Sequence, residues 1–123
     1  ANSLGATKAL LMKMKALGKA HNTQMMVLVI PSREFVFFQY LSGKKTKLPQ
    51  IYQTLYVNES RLRDNVFQWL TDSNIPFVDT APALLNAVST KGGVYPQDND
   101  GHPLPTGYAV YANSLYEKLF KTH

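Results

Sequence analysis

Apolar positions recur at three- and four-residue spacing in four parts of the chain and run almost without polar interruption in two others. Within Leu4 to Lys19, Leu10, Met14 and Leu17 form one stripe while Lys8, Lys15 and Lys19 occupy another face. That spacing predicts an amphipathic helix with the stripe turned inward, stopped by Gly18 and His21-Asn22. Met25 to Ile30 has no alternation and runs into Pro31, which predicts a strand buried on both faces. Phe35 to Leu41 is aromatic and β-prone, a short strand or extended segment. Ser42 to Gln50, with Gly43, three lysines and Pro49, reads as a loop.

Asn58 or Ser60 can cap the next helix, which carries Leu62, Val66, Trp69 and Leu70 on one side and ends at Ser73-Asn74. Ile75 to Asp79 is a second short strand. Thr80 can cap a short helix through Ala83, Leu84, Leu85 and Val88, closed by Gly92-Gly93. The last helix runs from Pro105 or Thr106 to Phe120, with Ala112, Leu115 and Leu119 inward. Alternating helices and strands predict a single α/β domain, a parallel sheet flanked by helices. Two strands make a small sheet, so the pattern implies that further strands lie elsewhere.

Composition narrows the chemistry. The 123 residues suit one domain and need no cross-link for stability. The absence of cysteine excludes thiol catalysis, thiolate metal sites and disulfides. The longest apolar run, Met25 to Pro31, is too short to span a bilayer. The chain opens on Ala1 without a signal-peptide pattern, which suggests a processed product or an expressed piece of a longer protein. The net charge is +5, with the basic residues spread out. Lys44-Lys45-Thr46-Lys47 lies near Phe37, Phe38 and Tyr40, yet the expectation there is a solvated loop and not a nucleic-acid site.

The stretch "YPQDNDGHPLPTGYAVYA", Tyr95 to Ala112, concentrates the candidate chemistry. Asp98-Asn99-Asp100-Gly101 opens like a calcium loop, but Pro103 and Pro105 break the spacing and no Glu closes it. Zinc would need more nitrogen ligands than His102, His21 and His123 supply, so no metal or cofactor is expected. Asp, Asn, Gly and Pro also make ordinary turns. Asp100-Gly101-His102 does more, because a glycine bend can set a carboxylate against an imidazole. A carboxylate so placed orients the ring and stabilises its charged form while the ring shuttles a proton.

Three segments resemble the SGNH (GDSL-type) hydrolases. "DGHPLPTGYAVYANSLYEKL" is similar to their last block, in which Asp and His precede "HPN..G" and a terminal helix. "VLVIPSREFVF" resembles a strand followed by "IPSKE.VY", and "NIPFVDTAPALLNA" resembles their penultimate strand. The segments occur in the family's order and cover nearly the whole chain. The resemblance implies the carboxyl part of a flavodoxin-like, three-layer α/β/α domain. It also implies ester hydrolysis, with Asp100 and His102 as the catalytic pair and a bacterial envelope or secreted location. The implied substrate is an ester-bearing small molecule or an acylated carbohydrate or lipid.

The family's Gly-Asp-Ser block and its oxyanion Gly and Asn are absent, and Leu104 stands where the family often has Asn. The nucleophile would therefore come from a missing amino-terminal half or another copy. Permuted relatives in alginate O-acetylation, with an Asp-x-His pair, leave an O-acyltransferase as an alternative. A non-catalytic binding module with an acidic partner is another. Ser32, after the first strand, is the best internal nucleophile candidate, although no glycines flank it. Ser3, Ser42, Ser60, Ser73, Ser89 and Ser114 read as caps or loop residues. Asp79 is expected to cap the following helix, and Arg33 and Glu34 to form a surface pair or line the same cleft.

Overall fold

The computed structural model describes residues 3–121. His123, weighed above as a metal ligand, lies outside them. In chain order the elements are α1 (Ser3–Ala20), β1 (Val27–Val29), α2 (Arg33–Gly43), α3 (Gln50–Asp72), β2 (Phe77–Asp79), α4 (Ala81–Thr90) and α5 (Pro105–Phe120). The strands pair in parallel, Val27 with Phe77, Leu28 with Val78 and Val29 with Asp79. Val27 N donates to the Pro76 carbonyl at 2.9 Å and Thr80 N to the Val29 carbonyl at 3.1 Å. Pro31 and Pro76 flank this ladder and lack the N–H that would extend it.

The expected flavodoxin-like three-layer α/β/α fold does not form. Five helices dominate, and the described sheet has two strands of three residues each. The strand expected to be buried on both faces is only half-buried, and Ile30 at its end is exposed. Burial comes instead from helix on helix, with α2 against α3 and α4, and α4 against α5. Val36, Leu84, Ala87, Val94 and Tyr95 form the core, with Phe37, Val88, Val110 and Tyr111 packed around them.

Phe35 to Leu41 is helical, not extended. Ser32 caps α2 by accepting from Phe35 N at 3.1 Å, and Glu34 sits in the first turn. Helical spacing then puts Phe35 and Phe38 on one face, where both stack on Tyr56 of α3 at 4.8 and 4.5 Å. Tertiary stacking thus overrides the β preference of the aromatic run. The same face draws α3 back to Gln50, eight residues before the expected cap at Asn58.

Two helices turn faces the periodicity did not anticipate. Leu10, Met14 and Leu17 of α1 are exposed, while Lys8 and Lys15 lie on the half-buried side. In α5 the inward residues are Gly107, Val110, Tyr111 and Ser114, together with Leu115, and both Ala112 and Leu119 are exposed. Among the described residues no helix is long and apolar enough to cross a membrane.

Candidate acid–base site

The segment from Val94 to Leu104 leaves α4 and returns to α5. Gly92 and Gly93 begin it with φ of +63° and +59°, a left-handed turn that glycine adopts without strain. Leu104 N donates to the Val94 carbonyl at 2.8 Å and closes the loop at its neck. Gly107 then lets α5 approach that neck. A Cβ there would stand 2.4 Å from Pro103 Cβ and 3.1 Å from the Val94 carbonyl oxygen. The chain between these anchors holds Asp98, Asp100 and His102.

The two predicted site residues come together. His102 Nδ1 lies 2.6 Å from Asp100 Oδ1, and the His102 amide donates to the same oxygen at 3.0 Å. A carboxylate only accepts, so Nδ1 carries a proton, and in the neutral ring Nε2 is the nitrogen with the lone pair. Hydrogen bonds from the His102 amide and then its ring hold the Asp100 carboxyl below the ordinary 3.8. Asp98 Oδ1 accepts from Asp100 N at 2.8 Å, a second turn of the same kind one step earlier. These carboxylates are spent on the loop itself. Among the described residues no group of three or more His, Cys, Asp or Glu side chains converges.

Arg33, at the start of α2, fixes the loop from a part of the chain remote in sequence. Its Nη1 donates to the carbonyls of Asp98 and Asp100 at 2.7 and 2.9 Å, and its Nη2 lies 3.4 Å from Glu34 Oε1. A guanidinium presents donors in a rigid fork, which suits two carbonyls of one loop. The expected Arg33–Glu34 pair is real, and both residues line a groove of about 650 Å³ with Phe37, Phe38, Tyr52 and Tyr95. The groove reaches the loop at Asp98. The His102 side chain beyond it is 82 % exposed and that of Asp100 57 %.

Ser32 does not join this pair. Its Oγ donates to Glu59 Oε2 at 2.5 Å while accepting from Phe35 N, and its amide donates to Glu59 Oε1 at 2.9 Å. Glu59 of α3 therefore locks the cap of α2, and among the described residues no hydrogen bond links Ser32 to His102. Ser60, Ser89 and Ser114 are not caps or loop residues. Each lies within a helix and donates at 2.8 Å to the carbonyl four residues back.

Asp79 caps α4, as its place before the helix suggested, by accepting from Ala81 N at 2.9 Å. Thr80 turns away and donates to the Val29 carbonyl at 3.0 Å. Asp79 also pairs with Arg63, which is buried and sandwiched between the rings of Phe35 and Phe67. Arg63, Glu59 and Gly107 carried no local signal, and neither did the hold of Arg33 on the loop. The partners of Arg63, Glu59 and Arg33 lie 16, 27 and 65 residues away, and that of Gly107 across a close approach visible only in three dimensions.

Comparison of the chain with protein-family models, with curated proteins and with solved structures returns no match.

Proposed function

We propose that this chain supplies the acid–base pair of an SGNH-type ester hydrolase. The observation that carries the reading is the 2.6 Å contact between His102 Nδ1 and Asp100 Oδ1, which leaves Nε2 without a protein partner among the described residues. Asp100 holds the tautomer. His102 Nε2 takes the proton of a serine hydroxyl as it attacks an acyl carbonyl, and then returns it to the departing alcohol. Asp100 meanwhile stabilises the imidazolium, and its lowered proton affinity keeps it ionised for that role. The serine and the oxyanion donors come from polypeptide beyond these 123 residues, in the same parent protein or a second chain. An acyltransferase uses the same pair and differs only in the acceptor of the acyl group.

The exposure of the His102 ring favours a second reading, a non-catalytic binding module. A solvated imidazole outside the neighbouring groove has not been assembled against a substrate. One experiment separates the two. In the protein that joins this chain to its serine, His102→Ala should lower kcat/KM for p-nitrophenyl acetate by about a thousandfold or more, and Asp100→Asn by about a hundredfold or more. Ester cleavage that survives His102→Ala ends the hydrolase reading and leaves the module.

A further inference from the structure

We propose that the outward face of α1 docks on an anionic membrane surface, an inference independent of the acid–base pair. None of the 18 residues of α1 is buried. Leu10, Met14 and Leu17 stand 60 %, 56 % and 62 % exposed, one continuous stripe at i, i+4 and i+7. Two lysines help tie the helix to the rest of the chain, alongside the half-buried Leu4 and Leu11. Lys15 Nζ donates to the Ser73 carbonyl at 2.6 Å, and the Lys8 ammonium lies 5.4 Å from the centre of the Trp69 ring. The half-buried side of α1 carries Leu4 and Leu11 as well as Lys8 and Lys15, so the second apolar stripe, Leu10, Met14 and Leu17, is left over in water beside the exposed Lys13.

Charge selects the occupant. α1 itself carries Lys8, Lys13, Lys15 and Lys19 and no carboxylate. A second copy would set one lysine-bearing, acid-free helix against another, and like charges repel. A planar anionic surface needs a single free face. Lys13, three residues from Leu10 and four from Leu17, is exposed beside the stripe at the height where phosphates would lie. Docked in this way, α1 lies in the interface plane, with Leu10, Met14 and Leu17 at the acyl boundary.

The test is co-sedimentation with vesicles of phosphatidylcholine alone, and of phosphatidylcholine and phosphatidylglycerol in three-to-one proportion. Wild-type protein should bind the mixed vesicles at least about tenfold more tightly than the neutral ones. The triple variant Leu10→Gln, Met14→Gln, Leu17→Gln should lose that binding about tenfold with an unchanged circular dichroism spectrum, because these side chains are already in water. Lys13→Glu, which touches no apolar contact, should weaken it severalfold on its own. Absence of binding to the mixed vesicles overturns the proposal, as does full binding by either variant. A solution dimer that the triple variant converts to monomer also overturns it, since the stripe would then cover a second copy.

Discussion

Tyr95 and Asp100 sit five residues apart in one loop and are moved in opposite senses by their surroundings. Asp100 is open to water and is held ionised by the donors of His102. Tyr95 is 7 % exposed, its hydroxyl has no partner among the described residues, and burial pushes its phenol up to about 12 from an ordinary 10.0. A neutral phenol favoured by the fold stabilises it fully below pH 10, and that contribution is lost as pH rises toward 12. Tyr95→Phe removes both the unpaired oxygen and the titration. The variant is expected to be unchanged or up to about 1 kcal/mol more stable at neutral pH. Urea midpoints between pH 9 and 11 should decline less for it than for wild type. A variant that loses stability at pH 7 by several kcal/mol would show that the hydroxyl has a partner after all. The Asp100–His102 contact was legible at this scale because both side chains belong to one short turn. Arg33, which ties that turn down, was not, because its partners are remote in sequence.

At the scale of elements, α5 and the loop before it are joined through Gly107. Alanine is ordinarily the better helix residue by about 1 kcal/mol. Here its Cβ would collide with Pro103 and crowd Val94. Gly107→Ala should therefore destabilise by about 1 to 3 kcal/mol in urea unfolding, and the His102 ring resonances should shift as Pro103 is displaced. Stability gained, with those resonances unmoved, would mean that the loop neck is looser than its geometry states. Helix boundaries set by Gly and Pro were readable at this scale, as Pro105 and Gly92-Gly93 show. The conformation of Phe35 to Leu41 was not, because its aromatic content favours a strand until Tyr56 supplies a stacking partner along a helical face.

For the molecule as a whole, Arg63 binds three parts together. It lies between Phe35 of α2 and Phe67 of its own α3, and pairs with Asp79 at the junction of β2 and α4. Its Nη1 has no partner among the described residues, so removing Asp79 would strand a buried cation. Asp79→Asn is expected to cost about 3 kcal/mol by calorimetry or urea unfolding. Arg63→Met with Asp79→Asn should recover most of that loss, since an apolar chain of similar length fills the space between the rings. Equal losses in the single and double variants would show that the ion pair is not the source of the effect.

The sequence by itself determined where the two strands lie, where glycine and proline end several of the elements, and which carboxylate meets His102. Each of these follows from forces acting within a few residues. Only the tertiary structure decided that the helices outweigh the sheet, that Arg33 and Glu59 lock the ends of distant segments, and which face of α1 and of α5 points inward. Periodicity states that a helix has an apolar side; what covers that side depends on neighbours that the spacing of its own residues does not specify.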